Sequence, residues 1–365
     1  MNVVYCSYDG RYSDNPRALY EGLPRAAGDR HLWLSHPLHH SGFPSSVPTV
    51  SSVTDEARRA LEEADLVIAN THLDLDWDKS PEATYLQTWH GTPLKRIHSD
   101  VFWTPPGRQA RLDADVARWD YLLSPNPVST SRLRSAFGFE GEVLQTGYPR
   151  NDVLLSARSG VIRARVRACL GLSDNTTAVL YAPTWRDDEH FAEGAPSARL
   201  ALDVDAFTHE LGDTHTLLPR LHYLMTDRMA PLRRRGVVDV SRYPDMQELY
   251  LAADVLVTDY SSSMFDFAVT GKPMIFFTYD LESYRDSLRG FYFDLQPVAP
   301  GPLVRTTRDL LGALGRLPEL SDGYAERYHA FRQTFCPLDD GQATQRLAGL
   351  MGRLSSQREL AGTHD

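Results

Sequence analysis

Short apolar runs recur along the whole chain, and each run ends in a loop of polar residues, glycine or proline. The runs are rich in β-branched and aromatic residues and do not alternate strictly between apolar and polar positions. This pattern is typical of strands that are buried on both faces, as in a parallel sheet. The predicted strands are Val3–Cys6, His31–Leu34, Leu66–Ala69, Thr84–Thr88, Tyr121–Leu123, Glu142–Gln145, Ala178–Tyr181, Thr216–Pro219, Val237–Val240, Val255–Val257 and Met274–Phe277.

Helical patterns lie between these strands. They cover Asn15–Leu23, Thr54–Glu63, Gly107–Arg118, Ser129–Ala136, Val161–Cys169, Met246–Ala252 and Ser261–Val269. Strand and helix in alternation predict an α/β fold with right-handed crossovers. A polar joint at Gly171–Thr177 separates two such sets. We therefore expect two Rossmann-like, doubly wound domains, residues 1–172 and 173–342, that face each other across a cleft. Residues 343–365 are expected to form a C-terminal helix and a frayed tail.

Composition excludes several classes of protein. The chain has 365 residues and a net charge of −10, which argues against a general nucleic-acid binder with a basic face. Three widely spaced cysteines predict a reducing, cytoplasmic setting without a disulfide framework. No apolar stretch approaches the ~18 residues of a membrane span, and the N-terminus reads as a strand rather than a signal peptide. Only three of the 38 basic residues are lysines.

In the first half, the most informative loop follows the fourth predicted strand and contains His90 and Gly91. A histidine at a strand end titrates near neutrality and is a candidate general base for a hydroxyl group. Thr92 lies in the same loop, and Lys95, with Arg96, is expected on a following helix where it would hold an anion. The alternative is a packed histidine that caps a helix. After the first strand, Tyr8, Arg11 and Tyr12 are further candidate ligand contacts, although helix capping by Ser13 or Asp14 explains much of this loop.

In the second half, the clearest loop follows the strand Val255–Val257. It contains Asp259, Tyr260 and the hydroxyl residues Ser261, Ser262 and Ser263, directly before a predicted helix. A helix N-terminus offers free N–H groups and partial positive charge, which suit a phosphate. The alternative is an ordinary serine N-cap. Two further loops contain the candidates Thr184, Trp185 and Arg186, and Arg220 and His222.

Several common cofactor and metal motifs are missing from the sequence. It contains no Walker P-loop, no Gly-x-Gly-x-x-Gly and no Gly-x-Ser-x-Gly, so the dinucleotide, P-loop and hydrolase interpretations lose their main support. Asp-x-Asp occurs four times in this acidic chain, which shows how little that pattern specifies. The histidine cluster at His36, His39 and His40 has no nearby cysteine. We expect neither a metal nor a cofactor.

Taken together, seven sequence blocks resemble the CDP-glycerol:poly(glycerophosphate) glycerophosphotransferases, which build teichoic-acid-type and capsular polymers. The blocks are Tyr12–Tyr20, Gln87–Lys95, Thr146–Asp152, Tyr181–Arg186, Arg220–Tyr223, Val257–Ser262 and Arg289–Asp294. They occur in order over nearly the whole chain. The resemblance implies the two-Rossmann glycosyltransferase architecture called GT-B, with a nucleotide-diphosphate donor in the second domain and the acceptor in the first.

The resemblance also implies an activity and site residues. The activity is transfer of an alditol phosphate, such as glycerol phosphate, from a CDP-linked donor to a polymer or lipid-linked hydroxyl, with release of CMP. His90 and His222 match the two catalytic histidines. The donor-side expectations are Thr184, Trp185, Arg186, Arg220, Asp259, Tyr260, Ser261, Ser262 and Ser263, and the acceptor-side expectations are Tyr12, Gly91, Thr92, Lys95, Arg150 and Asp152.

Two alternatives stay open at this point. One is a GT-B glycosyltransferase that uses a nucleotide sugar, and the other is a non-catalytic polymer-binding relative. Contact with the inner face of the cell membrane is a further expectation, for which Arg132 and Arg134 are candidates. The residues do not distinguish glycerol from ribitol or sugar phosphate, nor a primase from a polymerase.

Overall fold

The computed structural model describes residues 1–184, 200–221, 234–288, 290–349 and 352. The candidates Trp185, Arg186 and His222 lie outside the described residues. The chain divides into two compact units. The first contains Met1–Gly91, His98–Val153 and Pro337–Asp365, and the second contains Thr92–Ile97 and Leu154–Cys336.

The first unit is built on a parallel sheet. Its strands are β1 (Asn2–Cys6), β2 (Arg30–Ser35), β3 (Thr49–Ser51), β4 (Leu66–Ala69), β5 (Thr84–Gln87), β6 (Tyr121–Ser124) and β7 (Glu142–Gln145). Their order across the sheet is β3-β2-β1-β4-β5-β6-β7, and every pairing is parallel. The strand order reverses between β1 and β4. In open α/β sheets, ligands bind outside the carboxyl ends of the strands at such a switch point.

Helices connect these strands and cover the sheet. They are α1 (Asp14–Gly22), α2 (Asp55–Glu62), α3 (Arg108–Val116) and α4 (Pro127–Phe137), followed near the C-terminus by residues 343–349. One side of the sheet packs an aromatic core in which the ring of Tyr5 stacks on Trp33 at 5.2 Å and meets Tyr20 edge-on at 5.3 Å. These rings are fully or nearly fully buried. Their packing holds the carboxyl end of β1 in place.

The second unit contains another parallel sheet, within the residues that the structure describes. Its strands are β8 (Thr177–Ala182), β9 (His215–Pro219), β10 (Val255–Thr258), β11 (Met274–Phe277) and β12 (Leu303–Val304), in the order β12-β11-β10-β8-β9. Its helices are α5 (Ser159–Cys169), α6 (Val204–Leu211), α7 (Met246–Ala252), α8 (Ser263–Ala268), α9 (Leu281–Ser283), α10 (Thr307–Leu314), α11 (Leu317–Gly323) and α12 (Ala325–Phe335). The predicted α/β class with two Rossmann-like, doubly wound units is therefore confirmed.

The unit boundaries lie at other residues than the predicted 172/173 and 342/343. Helix α5 belongs to the second unit because Arg163 and Arg167 on it bond the carboxylate of Asp254, at 2.5 and 3.0 Å. At the other end, Arg346 donates to the carbonyl oxygen of Thr146 at 2.8 Å, so the C-terminal segment returns to the first unit. Long-range side-chain contacts of this kind leave no signal in local composition.

Local patterns also missed or misplaced some elements. The predicted strand Val237–Val240 forms only an isolated bridge, from Val237 to Leu217. Val240 still donates its backbone N–H to Pro219 on β9 at 2.9 Å, but Pro219 has no N–H with which to extend the ladder. The short strands β3 and β12 and the helices α6 and α9 to α12 were not among the predicted elements. No helix in the described part of the chain is long and apolar enough to cross a membrane.

Candidate active site

His90 stands in a sharp turn at the carboxyl end of β5, beside the switch point of the first sheet. Its Nδ1 lies 2.6 Å from the backbone carbonyl oxygen of Asn70, which directly follows β4. A carbonyl oxygen only accepts hydrogen bonds, so Nδ1 must carry the proton. The neutral imidazole therefore has its lone pair on Nε2. This is the nitrogen that can take a proton from a hydroxyl group.

Burial lowers the pKa of His90 to about 4, although its bond to Asn70 and the nearby Asp14 carboxylate act in the opposite direction. The ordinary histidine pKa is ~6.5. At neutral pH the side chain is therefore uncharged and ready to act as a base. The cost is that the buried imidazole is a weaker base than an exposed histidine.

This shift predicts an unusual pH profile. We expect the acid limb of kcat/KM to fall near pH 4 to 5 instead of near 6.5, because His90 stays neutral until then.

The free energy of unfolding should depend on the same titration of His90. Between pH 6.5 and 4 the unfolded chain binds a proton that the folded chain refuses, so the unfolding free energy falls as the pH falls through this window. Initial rates across pH 4 to 8, and urea melts at the same pH values, check both statements.

An ion pair buried in the first unit supports the turn. Arg150 donates from Nη1 to Asp14 Oδ2 at 2.6 Å and to the backbone oxygen of His90 at 2.8 Å. Tyr8 donates its hydroxyl to the same Asp14 oxygen at 2.9 Å, and its ring lies 5.6 Å from the His90 ring. The structure thus brings Arg150, one of the expected acceptor-side residues, and Tyr8, a candidate ligand contact, close to His90. It adds Asp14, which was named only as a possible helix cap.

Backbone strain concentrates at the same place. Among the described residues, four other than glycine have left-handed φ values, and three of them surround His90: Tyr8 at 45°, Asp14 at 62° and Trp89 at 51°. Such conformations cost of order 1–3 kcal/mol each and persist where the surroundings hold them. Strained backbone clusters at active sites, so this geometry independently marks the neighbourhood of His90 as functional.

Two predicted acceptor-side residues have structural partners. Tyr12 is buried in the aromatic core against Trp33 and bonds Glu21 at 2.9 Å, so its side chain serves packing. Asp152 accepts from the backbone N–H groups of Ala343 and Thr344, at 3.0 and 2.8 Å. These bonds cap the C-terminal helix. A role of Asp152 on the acceptor side stays a prediction.

Removing this cap should loosen the C-terminal helix without touching the chemistry. We expect Asp152→Ala to lower the unfolding free energy by ~1–2 kcal/mol and to leave kcat within about twofold. Thermal melts and initial rates measured on the same preparation check this. A loss of kcat with an unchanged melt would instead place Asp152 in the reaction.

Lys95 and Thr92 lie in the second unit, whereas Gly91 ends a segment of the first. The segment after His90 is extended rather than helical, which corrects the expected helix. Lys95 pairs with Phe291 in an antiparallel bridge, and Arg96 donates its backbone N–H to Gly290 at 3.1 Å. The Gln87–Lys95 block and the Gly290–Asp294 part of the last block are thus joined by backbone hydrogen bonds.

The second unit gathers its candidates at the carboxyl ends of β8 and β10. Asp259 Oδ1 accepts from the backbone N–H groups of Thr184 and Tyr260, at 2.8 and 2.5 Å. Tyr260 is fully buried, with its hydroxyl on Asp280 at 3.0 Å. Ser261 and Ser262 are half-exposed, whereas Ser263 is buried. Asp259 therefore orders the loop, as its position next to the turn had suggested, and Ser261 and Ser262 are the accessible hydroxyls.

The side chain of Arg220 is hydrogen-bonded to backbone carbonyl groups. Its Nη1 donates to the carbonyl oxygens of Val240, Ser241 and Tyr243, at 2.9, 2.6 and 2.6 Å. These bonds hold the segment after β9 in place. A phosphate contact for Arg220 stays a prediction, and its neighbour His222 lies outside the described residues.

Sequence analysis missed Asn15 and Asn70, which are completely buried near His90. Their positions in the sequence were the signal that could have identified them. Asn70 directly follows a predicted strand, and Asn15 sits where the chain enters α1. Among the described residues, no group of three or more His, Cys, Asp or Glu side chains is placed to hold a metal ion.

Comparison with known proteins identifies the family. Residues 1–351 match the profile of the CDP-Glycerol:Poly(glycerophosphate) glycerophosphotransferases. The chain belongs to this family. It is 41% identical to the teichoic acid glycerol-phosphate transferase of Staphylococcus aureus, with 95% of this chain and 92% of that protein covered. The structure of the wall teichoic acid polymerase TagF is similar as well, with a TM-score of 0.88, 36% identity and coverage of 98% of this chain and 90% of that one.

Other members of the glycerophosphotransferase family are longer. The chain is 36% identical to the teichoic acid poly(glycerol phosphate) polymerase of Bacillus subtilis and covers 48% of that protein's length. The relatives thus include proteins named as transferases and as polymerases. The enzyme class expected from the sequence, a glycerophosphotransferase with an α/β fold, is confirmed by these relatives.

Proposed function

We propose that this glycerophosphotransferase moves a glycerol-phosphate unit from CDP-glycerol to a hydroxyl group of a teichoic-acid-like acceptor and releases CMP. Membership of the family and the names of the relatives support the reaction class. The observation that carries the proposal for this chain is the fixed tautomer of His90. Its Nδ1 is held by Asn70, which leaves a neutral Nε2 as proton acceptor.

In the proposed step, the acceptor oxygen attacks the phosphorus atom that bears glycerol. The new P–O bond forms as the bond to the CMP oxygen breaks, and the acceptor proton passes to Nε2 of His90. General-base catalysis of this kind contributes ~10²–10⁴-fold. Phosphoryl transfer needs mainly positioning and compensation of charge on the phosphate oxygens. No step in this scheme calls for a metal or cofactor.

On the donor side, the proposal assigns roles to loops of the second unit. Ser261 and Ser262 would donate hydroxyl hydrogen bonds to diphosphate oxygens, and Thr184 would line the same loop edge. His222, Trp185 and Arg186 keep the roles implied by the resemblance, with His222 stabilising the departing CMP. The buried carboxylate of Asp259 accepts hydrogen bonds from the backbone N–H groups of Thr184 and Tyr260 and thereby orders this loop.

The decisive experiment is a donor panel with mass analysis of the acceptor product. CDP-glycerol, CDP-ribitol, UDP-sugars and GDP-sugars are each offered with a glycerol-phosphate oligomer as acceptor. Release of CMP with a mass gain of one glycerol phosphate supports the proposal. Release of UDP or GDP with a sugar added would favour a glycosyltransferase, and tight binding of CDP-glycerol without release under any condition would favour a non-catalytic relative.

We further propose that the enzyme works in the cytoplasm at the inner face of the cell membrane, with the loop before α3 as its contact. Trp103 and Phe102 are 70% and 55% exposed there. The base of this loop bonds α4, since Ser99 donates to the carbonyl oxygen of Ala136 at 2.5 Å. Exposed Arg108 and Arg134 lie on α3 and α4. Exposed aromatic rings flanked by arginines suit an anionic lipid surface.

This docking proposal predicts a loss of vesicle binding on substitution. We expect Trp103→Ser with Phe102→Ser to reduce sedimentation with vesicles of phosphatidylglycerol at least tenfold, while turnover of a short soluble acceptor stays within twofold. The matched control is Leu38→Ser, which removes an exposed apolar side chain elsewhere in the first unit. Equal vesicle binding by the wild type and the double variant would exclude this surface as the contact.

A further inference from the structure

The turn that carries His90 is held by three buried carboxamide side chains that the proposed reaction does not use. Asn15, Asn70 and Gln87 are each 0% exposed, and we call them the amide clamp. They come from three different places in the chain: the start of α1, the residue after β4 and the end of β5. Buried amides retained in a core need hydrogen-bond partners. Two of their hydrogen bonds go to the backbone of Trp89, in the strained turn.

Both polar backbone groups of Trp89 are bonded by the clamp. Gln87 Oε1 accepts from the Trp89 N–H at 2.9 Å, and Asn15 Nδ2 donates to the Trp89 carbonyl oxygen at 3.1 Å. Gln87 is itself anchored, since its Nε2 donates to Thr71 at 3.0 Å. Trp89 is the residue with a φ of 51° directly before His90. The clamp therefore holds the strained residue that sets the orientation of the His90 side chain.

Asn15 and Asn70 use their amides differently. Asn15 uses both ends, because its Oδ1 also accepts from the backbone N–H of Arg150 at 3.1 Å. Asn70 Oδ1 accepts from the backbone N–H of Tyr8 at 2.8 Å, whereas its Nδ2 has no hydrogen-bond partner among the described residues. The bond that orients His90 comes from the backbone of Asn70 instead of its side chain.

We propose that Asn15 and Gln87 are positioning residues for His90, which act by holding Trp89 in its left-handed conformation. Without their bonds, Trp89 relaxes toward an ordinary backbone conformation and the imidazole leaves the Asn70 carbonyl. The inference rests on the proposed function only in taking His90 as the base. A displacement of about 1 Å at a reacting group can cost ~10²-fold in rate.

Two buried asparagines of the first unit provide a matched test. Asn15→Asp and Asn126→Asp are equal in size and charge change, and both residues are 0% exposed. Asn15→Asp loses the N–H that Trp89 needs, whereas Asn126→Asp keeps the oxygen that accepts from the backbone N–H of Ser129. We expect Asn15→Asp to lower kcat ~10–100-fold with donor KM within about threefold. Asn126→Asp should keep kcat within about threefold, and Gln87→Met should resemble Asn15→Asp.

A second readout does not depend on catalysis. In the wild type, ¹⁵N spectra of labelled histidine should show His90 as the Nδ1–H tautomer, and Asn126→Asp should retain it. In Asn15→Asp this signal should move toward the tautomer mixture of a free imidazole. If His90 proves not to be the base, this spectrum still tests the clamp, so failure of the proposed function and failure of the clamp are distinguishable.

The control for general destabilisation is Asn126→Ala. Asn126 is equally buried in the first unit, where it caps α4 by accepting from Ser129 at 2.8 Å. This variant should lower Tm and keep kcat, which shows that lost stability alone does not slow the reaction. Equal kcat losses and equal tautomer changes in Asn15→Asp and Asn126→Asp, or wild-type behaviour of Asn15→Asp, would overturn the proposal.

Discussion

Replacement of His90 by alanine should lower kcat by ~10²–10⁴-fold while the protein stays folded. The size follows from the role of Nε2, which accepts the hydroxyl proton as the new P–O bond forms. Because the bond from Nδ1 to Asn70 fixes the tautomer, the loss is expected for His90→Asn as well, since an asparagine amide offers no basic nitrogen. Steady-state assays of CMP release, with circular dichroism melts of each variant, make the measurement.

The matched control for His90 is His209→Gln. His209 is exposed on α6 of the second unit and bears no relation to the turn. Its replacement should leave kcat within twofold. If His90→Ala retained more than about one tenth of wild-type kcat with a normal melt, the imidazole would not be the base. The proton would then have to pass to another group or to water.

Much of the fold could be predicted because each buried strand leaves a short, continuous apolar run. The ends of β4, β5 and β10 therefore fell within one residue of the predicted ends, and with them the positions of His90 and Asp259. The reversal of strand order between β1 and β4 leaves no such local trace. It brings Asn70 to the same sheet edge as Tyr8, which explains why Asn70 was not singled out.

The same logic applies to two of the expected acceptor-side residues. Tyr12 and Asp152 belong to matching sequence blocks, yet their partners are Glu21 and the backbone at Ala343. Proximity to a functional motif in sequence does not distinguish a ligand contact from a residue that supports the motif's scaffold. The long-range contacts of each residue make that distinction. Those contacts depend on how the elements pack and not on the local sequence pattern.

Replacement of Arg150 by methionine should destabilise the first unit by ~3–5 kcal/mol, because it leaves the Asp14 carboxylate buried without its charge partner. The Arg150 and Asp14 side chains are 3% and 8% exposed, and their atoms lie 2.6 Å apart. Activity should fall with stability, since Arg150 also holds the backbone oxygen of His90. Urea unfolding at pH 7.5 and initial rates at 15 °C separate the two effects.

A double-substitution cycle isolates the pair. Asp14→Asn combined with Arg150→Met removes both charges, so it should recover part of the stability that Arg150→Met alone loses, with a coupling of ~1–3 kcal/mol. The control lies on the same helix, where Arg17 and Glu21 form a more exposed pair at 2.9 Å. Arg17→Met should cost no more than ~0.5 kcal/mol, because an exposed pair is already solvated. Equal losses from Arg17→Met and Arg150→Met would mean that the buried pair contributes no more than a surface contact, and the support of the His90 turn would then have to come from the amide clamp alone.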